Sequence, residues 1–95
     1  MAMTPEGKVK KRAKEHLDTA GAYYFMPATG GFGRSGVPDI VGCFNGVFFA
    51  IECKANGNKP TALQAQHMKR INDGGGIAVV VDEHNTDSMM KELFE

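Results

Sequence analysis

A mixed α/β fold follows from three features of this sequence: helix, three-stranded antiparallel meander, helix, a further strand parallel to the last of the meander, and a C-terminal helix. Apolar residues recur at helical spacing between Thr4 and Gly21. Two apolar runs flank an Asn45-Gly46 turn, and Ile77-Ala78-Val79-Val80-Val81 is a continuous apolar run reached through a second amphipathic stretch. The length bounds this to a single domain over residues 1–95, because a chain this short builds one core.

The first helix starts at Thr4-Pro5-Glu6, with Thr4 as N-cap and Pro5 where its missing N–H does no harm. It should run to about Ala20 and stop at Gly21. At about 100° per residue, Val9, Ala13, Leu17 and Ala20 form an apolar stripe with His16 at its edge. Glu6 lies on that stripe and Glu15 opposite it. Ala22-Tyr23-Tyr24-Phe25-Met26 reads as a short strand ended by Pro27. The glycine-rich stretch from Ala28 to Gly36 is a loop delivering the chain to Asp39, and its Arg34 suits a phosphate contact. No lysine-serine or lysine-threonine pair follows these glycines, which argues against nucleoside-triphosphate binding.

Val47-Phe48-Phe49-Ala50-Ile51-Glu52-Cys53-Lys54, rich in β-branched and aromatic residues, reads as a central strand. Asn45-Gly46 folds Asp39-Ile40-Val41-Gly42-Cys43 back against it as a hairpin. After a polar turn, Thr61 caps a helix from about Ala62 to Asn72. Its spacing puts Leu63, Gln66, His67 and Arg70 on one side and Ala65, Met68 and Ile71 on a neighbouring apolar one. Ile77–Val81 then has the character of a strand buried on both faces, and a right-handed crossover makes it parallel to the preceding strand. Met89, Met90, Leu93 and Phe94 sit at helical spacing and are expected to pack in the core or against a second copy.

Strand alternation concentrates the chemistry. Glu52 and Lys54 share one face of their strand, and the hairpin returns Asp39 to their end of it. Pro-Asp pairs and Glu-x-Lys triplets are each common and need mean no more than a turn and a solvated ion pair. Carboxylates converging at the end of an apolar hairpin are costly unless a cation or hydrogen bonds compensate, however, which favours a metal site. Magnesium takes oxygen ligands, usually one or two carboxylates plus water and phosphate oxygens, so Asp39 and Glu52 are the candidate ligands. Lys54 is placed to orient an attacking water or stabilise developing charge. Glu6 has two readings at this stage, a third acid for the metal or a first-turn acid favoured by the helix dipole.

Composition excludes other classes. No apolar run approaches the roughly 20 residues needed to cross a bilayer, and no signal-peptide core is present, which predicts a soluble cytoplasmic protein. Cys43 and Cys53 both fall at strand positions and are expected to be reduced and buried. His16, His67 and His84 are scattered without zinc-ligand spacing. Net charge is zero, yet Lys8, Lys10, Lys11, Arg12 and Lys14 crowd the first helix while acids dominate the C-terminal stretch. A basic helix beside a phosphodiester-cleaving site is a nucleic-acid surface in prospect.

Taken together, Glu6, the Arg34-Ser35-Gly36-Val37-Pro38-Asp39 approach, the Phe49-Ala50-Ile51-Glu52-Cys53-Lys54 strand, and Gln66 after the Lys59-Pro60-Thr61 turn resemble the PD-(D/E)xK nuclease superfamily, and within it the VRR-NUC (virus-type replication-repair nuclease) domain. The likeness spans nearly the whole chain. It implies a restriction-endonuclease-like core in which Asp39 and Glu52 bind Mg2+ or Mn2+ with help from the Cys53 main-chain carbonyl, Lys54 acts on the water, Glu6 is a metal-site acid and Gln66 a further catalytic-site residue. Lys8, Lys11, Arg12, Arg34 and Lys59 are the accompanying DNA contacts. Stand-alone members are similar to homodimeric, structure-selective enzymes such as Holliday-junction resolvases of phage or bacteria. Cys53 replaces a more usual valine or leucine, a small departure at a residue used through its carbonyl.

The leading expectation is therefore a metal-dependent DNA endonuclease acting on branched DNA in replication, recombination or repair. A restriction-type duplex nuclease is the nearest rival, though no sequence-reading module is recognisable. From a different class comes a non-catalytic DNA-binding or assembly subunit, against which the complete set of acids and the lysine argues.

Overall fold

The computed structural model describes residues 3–28 and 35–94. Helix α1 spans Pro5–Ala20, with the Thr4 hydroxyl accepting from the Gly7 amide at 3.0 Å and Gly21 closing the last turn at φ 78°. That positive φ is why a glycine ends the helix. Val9, Ala13 and Leu17 are buried as the helical period requires; Ala20 is exposed, lying at the helix end where no neighbouring element covers it.

Strands β1 (Tyr23–Phe25), β2 (Ile40–Phe44), β3 (Val47–Cys53) and β4 (Ile77–Val81) form one sheet in the order β1-β2-β3-β4. The first two pairings are antiparallel and β3 pairs β4 in parallel, so the meander and the crossover both form as expected. Asn45 and Gly46 have φ of 52° and 78°, the paired left-handed residues of a two-residue hairpin turn. Gly42 serves a different need, since a Cβ there would lie 2.0 Å from the Tyr23 carbonyl oxygen and 2.8 Å from the Phe49 ring. The close approach of β1 to β2 thus requires it.

The two sheet faces are covered unequally. Ile40, Phe49, Ile51, Cys53 and Val81 form the core with Val9, Ala13 and Leu17 of α1 and Met89 and Leu93 of α3 (Met89–Phe94), which follows a single 3-10 turn at Thr86–Ser88. Phe94 sets its ring edge-on to Phe44 and Phe49, centroids 4.8 and 5.7 Å away. Among the described residues the opposite face is covered by α2 (Ala62–Asp73), chiefly over β3 and β4. Of β4 only Val81 is fully buried, against the expectation of a strand buried on both faces, because β4 is an edge of the sheet.

The cysteines and the second helix also depart from expectation. Cys53 is buried but Cys43 is exposed. Register pairs Cys43 with Tyr23 and Phe48 on the face that α2 leaves open, and those two are 73% and 47% exposed. Helix α2 meets its expected phase only in part: Met68 and Ile71 of the apolar side are half-buried, but Ala65 is exposed and Gln64 and His67 complete the half-buried stripe, while Leu63, Gln66 and Arg70 are exposed. A helix with no fully buried residue has little to anchor its phase.

Candidate active site

The hairpin register aligns Ile40 with Ile51, which sets Asp39, one residue earlier, level with Glu52, one residue later. Residues directly opposite in an antiparallel pair project from the same face, so the two carboxylates share a side. Asp39 Oδ2 accepts the Cys53 amide at 2.9 Å, which fixes the aspartate against the end of β3. Its Oδ1 has the Lys10 ammonium at 3.7 Å. The Lys54 amide donates to the Val81 carbonyl at 2.9 Å, carrying the β3–β4 pairing one step beyond β3 and keeping Lys54 on the face of Glu52. Lys54 Nζ lies 3.7 Å from Glu52 Oε1.

Glu52 is the most unusual residue of this group. It is 2% exposed, and its Oε2 is buried without a hydrogen-bond partner among the described residues. A buried unpaired carboxylate oxygen is expensive, and its environment shows the cost as a pKa raised from 4.5 to about 7, first by burial and then by the Asp39 charge. Lys54 and the Asp39 amide pull in the other direction, and Glu6 adds a further upward push. Burial, with Asp39 next, drives the Cys53 thiol up to about 12, so that side chain is a neutral core group. Two carboxylates on one face, one bearing an orphan buried oxygen, form a donor set suited to a hard divalent cation. Among the described residues no three His, Cys, Asp or Glu side chains converge tightly enough to hold an ion by themselves. The pair Asp39 and Glu52, completed by main-chain carbonyl, water or phosphate oxygens, is what the geometry offers.

Glu6 is half-buried on the flank of α1 that also carries Lys10, and Glu15 is exposed. Gln66 is exposed and borders a small cleft of about 70 Å³ with His67 and Arg70. The glutamine on the sheet-facing stripe is instead Gln64, in the first turn of α2. Helix α2 joins two parallel strands, so it runs against β3 and begins near the end of β3 that carries Glu52. Gln64 closes a capping box, its side chain accepting the Thr61 amide at 2.9 Å and its own amide donating to Thr61 at 3.2 Å. The Thr61-x-x-Gln64 pattern was the available signal for that placement. His67 was signalled by nothing in the sequence, because its ring Nε2 lies 3.1 Å from the carbonyl of Ser35, far away in the chain. It ties α2 to the segment leading into Asp39.

Lys8, Lys11 and Lys59 are exposed. Arg34 lies outside the described residues. Arg12 is partly spent, since its Nε donates to Asp87 Oδ1 at 2.9 Å, and His16 Nε2 lies 3.0 Å from the same oxygen. These contacts hold Asp87 below the usual carboxylate range, His16 contributing most. They also bring part of the acidic C-terminal stretch onto the basic helix. Lys8 and Arg12, with Pro5, Val9, Glu83 and Thr86, line a cleft of about 290 Å³ on the flank of α1 opposite Glu6 and Lys10.

A four-stranded mixed sheet with helices on both faces, and an aspartate and a glutamate-x-lysine brought together at one end of its central hairpin, defines a nuclease of the restriction-endonuclease-like, PD-(D/E)xK class. No family model matches the sequence. Among solved structures it superposes on a VRR_NUC domain with a TM-score of 0.79 and 27% identity, over 97% of this chain and 100% of that one. The sequence is also 32% identical over 93 residues to a protein described as "Putative nuclease p44" of Acyrthosiphon pisum secondary endosymbiont phage 1, covering 95% of this chain and 96% of the relative. The chain belongs to the VRR-NUC family of nuclease domains.

Proposed function

We propose that this protein is a divalent-metal-dependent endodeoxyribonuclease that hydrolyses phosphodiester bonds in branched DNA, with four-way junctions as its main substrate, and that it works as a homodimer. The observation that carries the metal reading is the buried Glu52 oxygen without a partner, level with Asp39 and 2% exposed as a residue. Asp39, Glu52 and the Cys53 carbonyl would hold Mg2+ or Mn2+, with Glu6 as an outer acid. When bound, such an ion supplies Lewis acidity toward the phosphate and a lowered pKa for a bound water.

The chain's own groups do the rest. The Cys53 amide fixes Asp39 for its ligand role. Lys54, its side chain 13% exposed and its ammonium 3.7 Å from Glu52 Oε1, would orient the attacking water and offset the negative charge that develops as the P–O bond to the leaving oxygen breaks. Gln66, exposed on α2, is carried as a further site residue on the family likeness alone, and Lys8, Lys11, Arg12, Arg34 and Lys59 make phosphate contacts. Action in the bacterial cytoplasm agrees with the phage source of the relative and with the lack, among the described residues, of a helix long and apolar enough to cross a membrane.

The test is a panel of end-labelled linear, flapped, forked and four-way DNA, each with Mg2+, Mn2+ or chelator. Cutting should appear with either metal and be strongest on the four-way junction. Equal cutting of all substrates would remove the branched-DNA assignment, and cutting in chelator the metal one.

Symmetric incision of a junction needs two sites related by a two-fold axis, and the open sheet face supports a second copy. Tyr23, Cys43 and Phe48 form one row across β1, β2 and β3 by register, with Phe25, 52% exposed, two residues along β1 from Tyr23. Exposed aromatic residues in register mark an interface more often than free surface. Phe48→Glu should convert a dimer to a folded monomer in sedimentation equilibrium. A monomeric wild-type protein at tens of micromolar, by the usual affinity arithmetic, would rule the dimer out.

A further inference from the structure

We propose that Lys10 is a positioning residue that holds Asp39 in the metal-free protein and surrenders Asp39 Oδ1 to the divalent ion, so that the Lys10–Asp39 pair and metal binding exclude each other. This role rests on the metal reading of the site. The two oxygens of Asp39 have different tasks: Oδ2 is held by the Cys53 amide at 2.9 Å, and Oδ1, among the described residues, faces the Lys10 ammonium, 3.7 Å away. Oδ1 is therefore the oxygen left for an ion, and Lys10 stands beside it.

The two carboxylates of the site each have one lysine at the same 3.7 Å, but the lysines are not equivalent. The side chain of Lys54 is 13% exposed and follows directly from the central strand, which gives it little room to leave. That of Lys10 is 35% exposed and rises from α1, whose neighbouring Val9 and Ala13 anchor the helix in the core. Its four-carbon stem can swing the ammonium into water while the backbone stays seated. Without a cation at Oδ1, the Asp39 carboxylate would face Glu52, level with it across the hairpin, with the Lys54 ammonium 3.7 Å from Glu52 Oε1 left to offset both charges. With a divalent ion at the same oxygen, an ammonium in contact would instead be repelled. Lys10 is thus the exchangeable cation and Lys54 the fixed one.

Removing the competitor should tighten metal binding, the opposite of what loss of a merely structural contact would do. Mn2+ is titrated calorimetrically, without DNA, into wild type, Lys10→Met, Lys10→Arg and Lys11→Met. Lys10→Met, which keeps the stem, should bind Mn2+ roughly five- to tenfold more tightly, the scale expected for a partly exposed charge contact. Lys10→Arg should stay near wild type. Lys11→Met, which removes an exposed cation from the same helix, should shift affinity by less than about twofold. Unchanged or weaker binding by Lys10→Met overturns the proposal, as does an equal gain in Lys11→Met, which would trace the effect to the helix's general field. Thermal melting shows whether each variant folds, and Lys10→Gln replaces Lys10→Met if that variant does not. Mn2+ binding by wild type that Asp39→Ala abolishes keeps the metal reading whatever Lys10 does; no binding by wild type removes both.

Discussion

At saturating metal, Lys54→Met should lower single-turnover cleavage of a four-way junction by about two to three orders of magnitude while leaving DNA affinity within a few-fold of wild type, the scale seen when one preorganised electrostatic group is removed. The expectation comes from where Lys54 sits. It is one step beyond β3, held by its amide to the Val81 carbonyl at 2.9 Å, and its ammonium is 3.7 Å from Glu52 Oε1. A group so fixed needs no reorganisation when charge develops, and in a poorly solvated site it acts strongly. Because Lys54 also draws the Glu52 pKa down, the comparison belongs at alkaline pH and saturating Mn2+, where Glu52 is ionised in both proteins. Asp39→Ala should behave differently, losing metal affinity together with cleavage, since Asp39 is proposed as a ligand. A Lys54→Met protein that cuts within about threefold of wild type would end the assignment of Lys54 to the chemical step, because a general electrostatic contribution of that size is too small for the role.

The elements that were legible in the sequence are those whose local signals agree with their tertiary setting. Thr4, Pro5 and Gly21 punctuate α1 where they should, and Asn45-Gly46 places the hairpin because few residue pairs tolerate its positive φ angles. From that turn, period-two alternation alone carries Asp39 to Glu52 and Lys54. What was not legible depends on which face a neighbour covers. Cys43 and Cys53 look alike in sequence, but α1 and α3 cover one face of the sheet while α2 covers only half of the other, so one thiol is exposed. For the same reason the pattern of α2 finds Met68 and Ile71 but does not distinguish Gln64, half-buried, from Gln66, exposed. Long-range partners such as His67 with Ser35, Arg12 with Asp87 and Lys10 with Asp39 leave no local trace at all.

Glu52 gives the second large effect, and it sets stability against activity. Its folded pKa is raised from 4.5 to about 7, so the folded metal-free protein holds a proton that the unfolded chain has released. The stabilisation is present in full below about pH 4.5 and is lost as pH rises through about 7. Each tenfold change in proton affinity is worth about 1.4 kcal/mol, so the loss comes to roughly 3–4 kcal/mol in all. Other perturbed groups act outside this window. Asp87 is held low by His16 and Arg12 and costs stability only as pH falls through the lower carboxylate range, while Cys53, up at about 12, and Tyr24, raised by Asp18, act at alkaline pH. Melting in chelator should therefore show wild type losing stability between pH 5 and pH 8, on the scale of a few degrees per kcal/mol for so small a domain. Glu52→Gln keeps the shape, carries no charge and offers an amide donor toward Asp39, so its melting temperature should be flatter across that range and higher than wild type at pH 8. The same variant should be inactive. Saturating Mn2+ favours the ionised form of Glu52, and should flatten or reverse the wild-type slope while leaving Glu52→Gln nearly unmoved. If chelator-treated wild type and Glu52→Gln melt in parallel from pH 5 to pH 8, the orphan oxygen is not the strained acid described, and the metal site loses its chief support. If they diverge and Mn2+ closes the gap, one carboxylate accounts for both the instability of the empty site and the chemistry of the filled one.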